Sequence, residues 1–198
     1  ANRVERLESL LSLIAGIDAA VQQAGTREEI ERKVCEQLVD TGSYSFAWIG
    51  GVPPDGTAVE PRAWADSEKT ERAYLDFGTF ELDERTPAAR AASTGTPVRV
   101  TNVTDFLREV DWAQAAVEHG YQSVLAVPLV HEEATYGVLT VYATEPDAFD
   151  GLAETIFEHL GGLVPRVGNG LRRNRTVLAD RAVNDREACE HIVYTVLE

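Results

Sequence analysis

Two apolar runs separated by a short charged stretch, within Tyr121–Ala143 (YQSVLAVPLVHEEATYGVLTVYA), constrain this chain more than any other feature. The first run, Ser123–Val130, is rich in Val, Leu and Ala; the second, Tyr136–Ala143, is rich in Val, Thr, Tyr and Leu. His131–Thr135 between them holds the charges. Runs of this composition and length read as strands, and the polar connection closes a hairpin. The apolar residues are nearly continuous, so both sheet faces are expected to be covered. Pro128 has no N–H for a ladder and marks a bulge or an unpaired edge position. Gly137 admits a close backbone approach or a bulge at the start of the second strand.

The rest of the chain must supply that cover. At 198 residues with 44% hydrophobic content it suits one domain with helical extensions. Val4–Ala24 is an amphipathic helix. Val4, Leu7, Leu11, Ile14 and Val21 keep a heptad spacing interrupted by Asp18, and Leu10, Ile17 and Ala24 form a second stripe. One stripe is expected to pack on the domain and the other to meet a partner helix; a single broad core-facing stripe is the alternative. Thr26–Glu29 is a capping box opening a second helix with Ile30, Val34, Cys35, Leu38 and Val39 inward and Gly42 as its stop. Tyr44–Val52 is a strand, with Tyr44, Phe46 and Trp48 on one side and Ala47 and Ile49 on the other. The turn Pro53–Gly56 leads to a return strand, Thr57–Ala65, with Pro61 at an irregular or edge position.

Asp66–Phe77 reads as a short helix and Gly78–Arg85 as a loop. Thr86 and Pro87 open an Ala-rich helix ending near Thr94–Gly95, and Pro97–Val100 is a short strand. A turn at Asn102–Asp105 precedes a helix carrying Leu107, Val110, Ala113, Ala116 and Val117 and stopping at Gly120. After the central hairpin, Asp150 caps a long helix lined by Leu152, Ile156, Leu160, Val164, Val167 and Leu171. Pro165 and the glycines at 161, 162, 168 and 170 predict a kink or an early stop there. Thr176–Glu198 reads as further helix.

Charge narrows the partners. Asp and Glu number 33 against 18 basic residues, a net charge of −15, and the only lysines are Lys33 and Lys69. Such a surface suits concentrated salt, which screens carboxylate repulsion, and points to a halophilic source or else to an ordinary acidic protein. It opposes direct nucleic-acid binding, which needs Lys and Arg on phosphates. No apolar run reaches the roughly 20 residues of a membrane helix and no signal peptide opens the chain, so a cytoplasmic protein is expected. Cys35 and Cys189 lack companions at metal-ligand spacing and read as buried thiols. His119, His131, His159 and His191 are scattered with no paired spacing, so no haem or metal is expected. No G-x-S-x-G, P-loop, H-E-x-x-H or dinucleotide fingerprint occurs.

Two helices, a hairpin, a helical and loop-rich crossing, a second hairpin and a long helix make an α+β order. Ser123-Val-Leu-Ala-Val-Pro-Leu129 followed by Tyr136-Gly-Val-Leu-Thr-Val141 resembles the paired "vPL … GvL" strands of the GAF domain family, and Phe149 and Asp150 fit the entry to its closing helix. The likeness is greatest to the GAF domains of haloarchaeal bacterio-opsin activator-type regulators and related sensor proteins. It is carried by Thr26-Arg-Glu-Glu-Ile30, Phe46-Ala-Trp-Ile-Gly50, Thr94-Gly-Thr-Pro-Val98, Asn102-Val103 and Gly120-Tyr121. It covers residues 1–172; residues 173–198 then read as an extension towards an output module.

The resemblance implies a GAF-like (profilin-like) central antiparallel sheet of about six strands, with the N- and C-terminal helices packed together on one face. It implies a ligand pocket or protein-contact face on the other, and a parallel dimer through the end helices Leu7, Leu11, Ile14, Val167 and Leu171. Bilin attachment needs a cysteine, but Cys35 is expected on the buried side of the second helix and Cys189 lies outside the domain; free methionine sulfoxide reduction needs several cysteines near the pocket and cyclic-nucleotide binding a signature, and this chain lacks both. Phe46, Trp48, Trp64, Asn102, Trp112 and Tyr121 are the pocket candidates, since aromatic rings and a polar edge suit a small molecule; ordinary core packing is the alternative for each. Arg90 and Arg99 would meet an anionic ligand or pair with surface carboxylates. The expected function is a non-enzymatic sensory or regulatory domain without a cofactor, binding a small molecule or protein. The alternatives are a ligand-free dimerisation module and a redox enzyme using Cys35.

Overall fold

The computed structural model describes residues 3–53, 56, 58–67, 80–81, 85–106 and 111–165. The central runs form strands β5 (Ser123–His131) and β6 (Ala134–Ala143), paired antiparallel. Their connection is tighter than the composition suggests. His131 pairs with Ala134, leaving a two-residue turn at Glu132 and Glu133, whose φ values are 51° and 65°. Both residues of such a turn need the left-handed region to match the twist of the strands. The bulge falls beside Gly137: Leu129 faces Gly137 and Val130 faces Thr135, so Tyr136 is the extra residue.

β6 pairs on its other side with β1 (Phe46–Gly51), β1 with β2 (Ala58–Asp66), and β5 with β4 (Val98–Val100). A two-residue strand β3 (Phe80–Glu81) pairs with β2, giving a six-stranded sheet in the order β3-β2-β1-β6-β5-β4 in which every pairing is antiparallel. β3 lies in the stretch expected to be loop; its ladder partners Ala58 and Val59 are distant in sequence, so no local pattern announces it. Asp66 closes β2 instead of opening a helix, and 68–79 lie outside the described residues. Pro128 is accommodated because β4 begins at Val98 opposite Ala126 and does not reach it, leaving that stretch of β5 bonded on one side.

Alternation along the strands sorts the core into two layers. Ala47, Ile49, Leu125, Val127, Leu129, Leu139 and Val141 face the helices α1 (Arg3–Gln23), α2 (Arg27–Asp40) and α5 (residues 151–165). Phe46, Trp48, Val124, Ala126, Val138 and Tyr142 face α3 (Pro87–Thr94), a 3₁₀ turn (Val103–Phe106) and α4 (Asp111–Glu118). The first and last described helices therefore share one layer, with Leu13 and Ile17 in the same cluster as Phe157 and Leu160. No helix among the described residues is long and apolar enough to cross a membrane.

The caps follow the sequence. Thr26 Oγ1 accepts from the Glu29 N–H at 3.2 Å, and the Glu29 carboxylate accepts from the Gly25 N–H at 2.7 Å, which holds that carboxyl below its usual range. Thr86 caps α3, which ends on left-handed Gly95. Asp150 Oδ1 accepts from the Ala153 N–H at 2.8 Å and starts α5.

Two expectations are corrected. Tyr44 precedes β1 and turns into the α1 layer, stacked on Phe149 at 5.4 Å and edge-on to Phe157 at 5.5 Å. On α5 the buried residues are Ala153, Phe157, Leu160 and Val164, while Leu152 is exposed and Ile156 half-buried; the stripe is rotated because the aromatic pair Phe149 and Phe157 anchors the helix. The helix also continues through Gly161 and Gly162 to residue 165. A Cβ at Gly161 would sit 2.6 Å from the Pro128 carbonyl oxygen, so glycine serves close helix–sheet packing there and does not end the helix.

Candidate functional site

On the α4 side the aromatic residues of β1, β6 and the entry to β5 meet. Phe46 lies 6.0 Å from Tyr121 and 5.9 Å from Tyr142, and Tyr121 and Tyr142 are 5.1 Å apart. Trp48 is buried, paired across the ladders with Trp64 on β2 and Thr140 on β6. Trp112 packs half-buried at the margin of this layer, its ring 6.1 Å from that of Phe106. Phe46, Trp48, Tyr121 and Trp112 are thus brought together. Trp64 stays 50% exposed on β2. Asn102 is committed locally: its Oδ1 accepts from the Thr104 N–H at 3.1 Å and the Thr104 hydroxyl at 2.7 Å.

Thr140 escaped the sequence reading, where it passes as a β-branched strand residue. The available signal was parity, since it shares a face with Val138 and Tyr142. It is completely buried, and its hydroxyl has no hydrogen-bond partner among the described residues. A buried hydroxyl without an acceptor costs about 1–3 kcal/mol. Thr140→Val is therefore expected to raise stability by about 1 kcal/mol in urea denaturation; a loss of that size would mean that the hydroxyl is satisfied.

A second polar cluster sits in the α1 layer. Glu31 is 1% exposed, and its Oε1 accepts from Arg27 Nε at 2.9 Å and from Arg62 Nη2 at 2.8 Å. Arg62 is the bulged residue of β2: Ile49 pairs with Ala63 and Gly50 with Pro61. Its guanidinium crosses Gly51 and Gly137, where any Cβ would collide with it or with the Gly50 carbonyl. The Arg27 guanidinium carbon lies 6.0 Å from the Tyr136 ring centre. The sequence did contain the signal, because Arg27, Glu31 and buried Cys35 recur every fourth residue on one helix face.

Cys35 is fully buried in the same layer, and burial, with Glu31 and Glu36 nearby, pushes its thiol well above its ordinary value of 9.0. The thiol stays neutral in the folded chain and ionises first in the unfolded one. This contribution is therefore complete below pH 9 and falls by about 1.4 kcal/mol per pH unit above it. Urea melts between about pH 8.5 and 10.5 should lose stability more steeply for the native chain than for Cys35→Ala; equal slopes would contradict the assignment. Among the described residues no group of three or more His, Cys, Asp or Glu is placed to hold a metal.

The N-terminal half of α1 divides as the two-stripe pattern suggests, but Val21, placed by that pattern in one stripe with Leu7 and Leu11, is buried in the core. Leu10, Leu13 and Ile17 are buried, whereas Val4, Leu7 and Leu11 are 58%, 43% and 55% exposed. Ile14 is half-buried, and Val167 and Leu171 lie outside the described residues. A groove of about 490 Å³ runs between α1, Thr41–Tyr44 and Ala143–Ala148, with Glu5, Glu145 and Asp147 among its lining. None of the six pocket candidates borders it.

A family model described as GAF domain matches residues 24–165. A putative transcriptional regulator of Haloferax volcanii is 28% identical over 174 residues, which is 88% of this chain and 28% of that protein. The bacterioopsin transcriptional activator of Halobacterium salinarum is 25% identical over 183 residues, covering 90% and 25%. The chain spans about a quarter of the length of these curated relatives. The GAF domain of a phosphoenolpyruvate-protein phosphotransferase from Coxiella burnetii superposes with a TM-score of 0.66 at 12% identity, over 85% of this chain and 98% of that one. Free methionine-R-sulfoxide reductase from Neisseria meningitidis, in complex with its substrate, superposes with a TM-score of 0.65 at 14% identity, over 80% and 87%. At these identities the structural likeness is one of fold. The chain belongs to the GAF domain family.

Proposed function

We propose that this chain is a non-enzymatic sensory or regulatory domain of a longer, cytoplasmic transcription regulator, in which the layer beneath α3 and α4 receives a small molecule or protein and the end helices join two copies. The observation that carries the reading is the split of α1, with Leu10, Leu13 and Ile17 in the core and Val4, Leu7 and Leu11 on the surface. A helix that needs only to complete its own domain does not require a second apolar stripe in water. The regulator relatives support the same reading. The buried Thr140 hydroxyl gives the opposite layer a polar group for a ligand to satisfy. In this reading residues 173–198 lead to an output module, and a change in helix packing is what that module feels. A net charge of −15 argues against nucleic-acid contact by this chain itself.

A second reading, a dimerisation module without a ligand, is favoured by the packing of Phe46, Trp48 and Tyr121, all 5% exposed or less. Redox catalysis through Cys35 is disfavoured, because a buried neutral thiol is a poor nucleophile. Native mass spectrometry of protein purified from molar salt separates these readings. The sensory reading expects a dimer carrying, or able to take up, a small molecule, and loss of that uptake in Thr140→Val. A dimer that retains and binds nothing from a metabolite extract would favour the second reading.

A further inference from the structure

The sheet separates the two layers, but contacts pass round its β4 edge. β4 is the outermost strand and leads into the 3₁₀ turn, whose Val103 is fully buried beside Ala113 and Ala116 of α4. From this same segment, bonds cross to the start of α5. Arg99 Nη1 donates to the Phe149 carbonyl at 3.2 Å and lies 3.6 Å from the Glu154 carboxylate. The Thr101 carbonyl accepts from the Asp147 N–H at 2.7 Å, and the Gln122 carbonyl accepts from the Val103 N–H at 2.7 Å. Next to it, fully buried Ser123 donates to the Glu145 carbonyl at 2.6 Å. On the far side Phe149 is locked in the α1 layer against Tyr44 and Phe157.

We propose that this edge is a mechanical coupling, in which displacement of the 3₁₀ turn and α4 is passed to the first turns of α5 through Arg99 and the Thr101 carbonyl. The central hairpin is bonded along both long strands and resists deformation, whereas a three-residue edge strand has few restraints. Arg99 is 37% exposed and Glu154 34%. Contacts of that kind are individually weak, so they can be made or broken without unfolding either layer. The inference rests on the sensory reading for its purpose and not for its test, since the coupling can operate in a domain that binds nothing.

The test is hydrogen exchange on the 198-residue chain in molar salt, with Val103→Ala as the perturbation and the amides of residues 153–160 as the reporter. With Arg99 present, Val103→Ala is expected to speed their exchange about fivefold; in Arg99→Met, which keeps the aliphatic stem, the same change should speed it less than about twofold. The amides of Leu125–Val127 should be unmoved throughout. Equal acceleration in both backgrounds, none in either included, overturns the proposal, as does acceleration at Leu125–Val127 by the same factor. Should Val103→Ala fail to fold, Asn102→Ala, which removes the acceptor of both Thr104 bonds, perturbs the same turn and is read by the same comparison. A chain that binds no ligand would count against the sensory reading and leave this result untouched.

Discussion

Glu31→Ala is expected to destabilise the domain by about 3–5 kcal/mol, because it removes the buried carboxylate oxygen that two guanidiniums share and strands that of Arg27. Arg27 is 11% exposed on its side chain and already has one buried nitrogen, Nη2, without a partner among the described residues. Arg62, at 33%, can partly rehydrate, which places the effect towards the lower end of that range. Molar salt should rescue little of the loss, since buried pairs are poorly screened. Removing the whole triad is a different experiment. With Arg27→Met, Glu31→Leu and Arg62→Met together, the desolvation cost disappears along with the attraction, and stability is expected to return to within about 1–2 kcal/mol of the native chain. Urea denaturation of the single and triple variants distinguishes the two cases. A single variant within about 1 kcal/mol of native would mean that the triad contributes nothing.

The second large effect is on association. In the proposed dimer, Leu7→Glu/Leu11→Glu would remove four leucines from the seam. At only about 1 kcal/mol each they amount to roughly a thousandfold in Kd. The fold should survive, because both side chains are about half exposed and Glu is a good helix former. Circular dichroism melting of the dilute variant should match that of the native monomer. Leu7→Gln/Leu11→Gln, which adds no charge, should weaken association to a similar extent in molar salt. A dimer that persists in both variants would place the contact elsewhere.

What the sequence made legible follows from physics that acts locally. The hairpin, both Thr N-caps, the Asp150 cap and the Gly95 stop depend on residues within a few positions of one another, and each stands where the pattern puts it. The two stripes of α1 were legible for the same reason over its N-terminal half, though Val21 of the outer stripe turns into the core. Features decided at a distance were not. β3 exists because β2 offers it a ladder. Gly161 reads as a helix breaker until the Pro128 carbonyl is seen behind it. Tyr44 follows the strand alternation on paper, yet it precedes the ladder and turns towards Phe149. Among the pocket candidates, the shared face of Phe46 and Trp48 followed from period two, whereas Tyr121 precedes β5 and lies in the layer opposite to the one alternation along that strand would give it. Asn102 looked available because its bond to Thr104 is a turn detail that composition does not encode. Glu31 and Thr140, polar residues at apolar positions, are the groups that single-residue preferences pass over.

Two copies joined along the outer stripe of α1 is the claim on which the regulatory reading depends. Light scattering of the 198-residue chain, eluted from a sizing column in about 2 M salt, measures it directly. The result expected is a particle of twice 21.7 kDa that dissociates on dilution. A particle of 21.7 kDa at every loading up to about 100 µM would contradict it.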